Sequence, residues 1–113
     1  MINNHLAMTS EEFVEEFKLL RDDLIQSYFT VDSEISRISL LEKSGMNHEQ
    51  IYLTKKIVSE ALTDALYTVL LGLDGSATIG QYQIMYKLLD EQSNELTGDL
   101  ESIAWEKFHG QNI

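Results

Sequence analysis

Glu106 and His109 stand in an E-x-x-H spacing, which sets a carboxylate and an imidazole on one face of a helix. Carboxylate-bridged two-metal bundles need a second such pair and further carboxylates from facing helices. The chain has no second E-x-x-H, so the pair reads as a solvated helix end, with His109 near the negative C-terminus. His5 falls in an unpatterned lead-in, and His48 falls in the first turn of a helix. Nucleophilic catalysis needs a Ser or Cys with a base and an orienting acid in reach. There is no Cys and no Gly-x-Ser-x-Gly elbow. The acid pairs Asp22-Asp23, Glu15-Glu16 and Asp90-Glu91 are adjacent, and neighbouring side chains on a helix diverge instead of forming a dyad. Asp64 falls on a polar helix stripe with Glu60. Gly72-Leu73-Asp74-Gly75 lacks the Lys-Ser/Thr ending of a phosphate loop. No catalytic, cofactor-binding or metal site is therefore assigned, and no cofactor is expected.

Net charge is −11, from 19 acidic and 8 basic side chains. Phosphate-backbone binding needs clustered Lys and Arg, and only Lys55-Lys56 are adjacent. Direct nucleic-acid binding is not expected, and the five tyrosines lack the positive charge that base stacking would need. The same acidity repels anionic membranes and favours encounter with basic partners. Two acidic clusters are candidates for that encounter: Glu11, Glu12, Glu15 and Glu16, and then Asp90, Glu91 and Glu95. The competing reading of both is a solvated, solubilising surface. The first residues show no secretory signal, and no apolar run reads as a membrane span, so a cytoplasmic protein is expected.

These residues must be positioned by helices. With 113 residues and 43% apolar content, the chain reads as one helical domain over 1–113, with 1–8 and 111–113 frayed. The expected fold is mainly α, a compact bundle of three to four helices around a long central one. Asn47 and Gln50 form a capping box, and apolar residues recur from Leu53 through Ile57, Ala61, Leu66 and Leu70 to Leu73. Gly75 marks the stop. The polar stripe fades after Thr68, which places Leu66 and Leu70 in the core. An earlier helix opens on a Thr9–Glu12 capping box and carries Phe13, Phe17, Leu20, Leu24 and Tyr28 on one stripe. A short second helix carries Ile35, Ile38 and Leu41, either separate or joined to the first through a bend, and Gly45 ends it. Tyr82, Ile84, Tyr86 and Leu88 alternate with polar neighbours, which favours a small β-hairpin turning at 90–94 over a helix. The last helix starts at Asp99, turns Leu100, Ile103, Ala104 and Phe108 inward, and holds Trp105 partly buried beside them.

The expected function is that of a small acidic, non-catalytic protein-binding domain: a regulator, inhibitor or immunity-type protein acting on a basic partner. The alternative is a small-ligand or enzymatic helical domain with a site built from Glu49, Asp64, His109, Tyr82 and Tyr86. A homodimer is a third expectation, because the apolar surface of the central helix exceeds what short neighbours cover.

Overall fold

The computed structural model describes residues 8–110. Four helices occur among them: α1 (Ser10–Tyr28), α2 (Ile38–Lys43), α3 (His48–Leu73) and α4 (Leu100–Phe108). Both expected capping boxes form. Thr9 Oγ1 accepts the Glu12 N–H at 3.1 Å, while Glu12 Oε1 accepts the Thr9 N–H at 2.9 Å. Asn47 and Gln50 repeat the exchange at 2.8 and 2.9 Å, so α3 starts where its sequence says it should. Its end is equally local. Gly75 takes φ +75°, and the Ser76 and Gly75 N–H groups bond back to the Leu71 and Gly72 carbonyls at 2.9 and 3.0 Å. That pair of bonds is the Schellman stop, and Gly45 closes α2 the same way. The chain between α1 and α2 is a run of turns, so the two helices are separate elements.

Packing divides the chain into two compact units, each drawing on both long helices. The first comprises residues 8–18 with 65–110, and it holds the core. Val14, Leu70, Leu100, Ala104 and Phe108 are buried together there, with Phe13, Phe17, Leu66, Tyr67 and Ile103 half-buried around them. Phe13 and Phe17 pack with ring centroids 5.1 Å apart. The inward face expected of α4 is therefore present, and Leu70 is core while Leu66 lies at its edge. Trp105 is not partly buried as expected. It is 56% exposed, its ring resting on His109 at 5.0 Å, because Leu100, Ala104 and Phe108 already fill the inward face of a nine-residue helix.

The second unit is Leu19–Asp64. Within it Arg21 Nη1 donates to Thr63 Oγ1 at 3.0 Å, and Thr54 Oγ1 approaches Met46 Sδ at 3.7 Å. No residue of 19–64 is buried. Leu20, expected on the inward stripe of α1, is exposed.

The expected β-hairpin is absent among the described residues. Between α3 and α4 there are only three isolated antiparallel bridges: Asp74 with Met85, Ile79 with Tyr82, and Leu89 with Glu95. The chain does turn at 90–94, with Ser93 in the left-handed region at φ 65°. Asp90 N–H bonds the Asn94 carbonyl at 3.0 Å and Leu96 N–H the Leu88 carbonyl at 2.8 Å, but a ladder does not extend from that turn because the next donors go elsewhere. Leu88 N–H goes to the Thr97 hydroxyl at 3.2 Å and Tyr86 N–H to the Leu73 carbonyl at 3.1 Å. Alternation makes a strand only when one face is covered. Here Tyr82, Ile84 and Tyr86 stay exposed, and the buried positions are Leu96 and Thr97 instead.

Candidate functional site: a joined acidic end

The two acidic clusters are eighty residues apart in sequence, yet the first unit brings them to one end. The Met8 N–H donates to Asp90 Oδ2 at 3.4 Å, and the Ser10 hydroxyl donates to the Leu96 carbonyl at 3.0 Å. The 90–96 turn is thereby seated against the start of α1, whose first turn carries Glu11 and Glu12. Carboxylates there also complement the positive end of the helix.

The seven acids are not equivalent. Glu12 spends its carboxylate on the capping box, and Glu15 pairs with Lys107 Nζ at 3.2 Å across α1 and α4. That exposed pair adds at most about 1 kcal/mol to stability. Glu95 Oε2 accepts the Thr97 hydroxyl at 3.4 Å. Asp90 is the organiser of its turn. Its Oδ1 accepts the Gln92 and Asn94 N–H groups at 2.9 Å each, and the Asn94 side-chain amide approaches both oxygens at 3.3 Å. Glu11, Glu16 and Glu91 are exposed and make no hydrogen bond or ion pair among the described residues, so their charges face solvent.

The Asn94 backbone N–H is the main cause that holds the Asp90 carboxyl below its ordinary range. Desolvation opposes it, and the Gln92 N–H, the Asn94 amide and the Met8 N–H reinforce it. A depressed carboxyl contributes stability that is complete above its unfolded value of about 3.9 and is lost as pH falls through the lower folded value. A carboxyl-carbon NMR titration is expected to place the Asp90 midpoint below that of an unfolded Asp, and Asp90→Asn should remove this acid-sensitive contribution. An unshifted midpoint would contradict the role of Asp90 in seating the turn.

The residues gathered for an enzymatic reading fall in both units, and each unit is described by itself. Glu49 and Asp64 lie fifteen residues apart on α3, about 22 Å along the helix axis. His109 is used in ring packing, 4.7 Å edge-on to Tyr67 and 5.0 Å from Trp105. Burial, and then the charge of Glu101, holds the Tyr67 phenol above its ordinary range. Tyr82 is 68% exposed. Among the described residues no group of three or more His, Asp or Glu gathers closely enough to hold a metal ion. His5 lies outside the described residues.

Asp74 was not visible as a working residue in the sequence. Its Oδ1 accepts the Gly98 N–H at 2.7 Å, and its Oδ2 accepts those of Leu100 and Glu101 at 2.6 and 3.1 Å. The residue that follows α3 therefore caps the start of α4, and Asp99 at the N-cap makes no side-chain capping bond. The positive end of α4 is filled by the chain's own carboxylate. In the second unit, Ile25, Tyr52, Lys55, Lys56, Ser59 and Glu60 line an open groove of about 420 Å³. No helix among the described residues is long and apolar enough to cross a membrane. Compared with protein-family models, curated proteins and solved structures, the chain matches none.

Proposed function

We propose that this chain is a small non-catalytic binding domain that engages a basic protein partner through the joined acidic end of its first unit. The observation that carries this reading is the seating of the 90–96 turn on the start of α1, which sets the first turn of α1, with Glu11 exposed on it, beside the turn that carries the exposed Glu91. Charge distribution supports it. Residues outside 19–64 hold eleven acids and three bases, a net −8, against eight and five, a net −3, within 19–64. A field of one sign on one unit accelerates encounter with a basic surface and weakens as salt screens it. Regulation, inhibition or immunity-type capping of a nuclease or other nucleic-acid-binding protein are the activities such a surface serves.

The test is capture of a purified-tagged chain's partners at low salt, followed by kinetics. Association is expected to slow strongly between 0.01 and 0.1 M salt, where the screening length falls from about 30 to about 10 Å. The Glu11→Lys, Glu16→Lys pair should slow association without altering the far-ultraviolet dichroism, since neither acid has a partner among the described residues. Because the clusters adjoin, Glu91→Lys with Glu95→Lys should slow it too. Retention of no basic protein at low salt, or indifference to both reversals, would overturn the reading and leave the acidity to solubility.

One observation favours a second reading, a small-ligand site. The groove pairs Ile25 and Tyr52 with Lys55 and Lys56, whose ammonium groups make no ion pair among the described residues, which suits a small amphipathic anion. Ligand-induced NMR shifts confined to Lys55, Lys56 and Ser59 would mark it, whereas the basic partner should shift residues 11–16 and 90–95.

A further inference from the structure

We infer that the cleft between the start of α1 and α4 seats one arginine side chain of the basic partner. The inference rests on the reading of the acidic end as a partner surface, and it names the group that surface takes. Glu11 of α1 and Ile103, Glu106 and Lys107 of α4 line a cleft of about 180 Å³ within the first unit. Pockets for small molecules run to roughly 300–1,000 Å³, so this one is sized for a single side chain.

Charge selects the occupant. Glu11 and Glu15 stand one turn apart on α1, and Ile103 and Lys107 stand one turn apart on α4. Glu15 finds its cation within the chain, in the Lys107 ammonium at 3.2 Å. Glu11 meets Ile103 at the cleft instead, and Glu106 adds a second acid there. The side chains of Glu11 and Glu106 are exposed and make no hydrogen bond or ion pair among the described residues. Glu106 and His109, spaced for one face in the sequence, have separate uses: the imidazole packs on Tyr67 and Trp105, and Glu106 lines the cleft. Two like charges on one cleft repel, and a cation entering between them relieves that repulsion. Ile103, half-buried against the core, offers apolar surface to the methylene stem that carries such a cation. Arginine suits the cleft better than lysine. Its five N–H donors form a planar fork that can serve two carboxylates at once, and a guanidinium is more weakly hydrated than an ammonium.

Amide NMR titration of the intact chain with the peptide acetyl-Gly-Arg-Gly-amide tests this. The shifts are expected to saturate with a Kd on the order of 1 mM and to centre on Glu11, Ile103, Glu106 and Lys107. Glu11→Gln and Glu106→Gln, at exposed positions, should each weaken binding about twofold to fivefold, the range for an exposed ion pair, with unchanged helical dichroism. Lys107→Gln should tighten it, because the resident cation is gone and Glu15 is freed. Glu49→Gln removes the same charge from the second unit and should change nothing. The citrulline peptide, alike in shape but neutral, should not bind, and the lysine peptide should bind more weakly. Equal losses in Glu49→Gln and Glu106→Gln would overturn the inference in favour of the general field of the chain. Lysine binding as tightly as arginine, or shifts centred elsewhere, would overturn it too. A basic protein retained at low salt while the arginine peptide ignores the cleft would overturn this inference alone. Retention of none overturns the reading on which it rests, whatever the peptide does.

Discussion

Leu70→Ala is expected to cost about 2–5 kcal/mol of folding stability, read as a lowered denaturant midpoint. Leu70 is wholly buried at the point where the first half-turns of α1, the second half of α3 and α4 share one core. Truncating it removes packing against Val14, Leu100 and Phe108 in a cluster of only five buried residues, so little material is at hand to collapse into the gap. Leu66→Ala, at the edge of the same cluster, should cost less. A Leu70→Ala midpoint equal to that of wild type would contradict the placement of the core.

Asp74→Ala is expected to cost about 1.5–3 kcal/mol, the range for hydrogen bonds to a charged group. Three backbone N–H donors, of Gly98, Leu100 and Glu101, converge on this carboxylate, and Leu100 is itself fully buried. Without the carboxylate the first turn of α4 loses its cap, while Leu100 still anchors the helix to the core. Asp74→Asn keeps one acceptor oxygen and should fall between the two. Asp99→Ala should be nearly silent, since Asp99 makes no capping bond despite its position. If Asp99→Ala proved the costlier of the two, the cap assignment would be wrong.

The contrast between Asp74 and the capping boxes shows what the chain reveals before it folds. Thr9 with Glu12, Asn47 with Gln50, and the stops at Gly45 and Gly75 are decided within five residues, so their types and spacing suffice. Asp74 takes its meaning from amides 24 to 27 residues away, and nothing local announces them. The 76–99 stretch failed for the same reason. The alternation from Tyr82 to Leu88 has strand period, but period cannot say whether any element covers the face. Leu53 and Ile57 make the same point on α3, where helical spacing was legible in the sequence and the 50% and 66% exposure of the two side chains was not. The acidic clusters were legible as composition. Their meeting was not, because it depends on Met8 and Ser10 bonding to the far turn.

The central claim is that a single helix, α3, has two characters: a core in its second half and an exposed apolar face in its first. Amide hydrogen exchange at low protein concentration tests this most directly. The amides of residues 66–71 are expected to exchange only through global unfolding, as core helices do, while those of residues 52–60 open locally and exchange much faster. Uniform protection along the whole of α3 at low concentration would show that its first half is already covered within one chain, and would contradict the account.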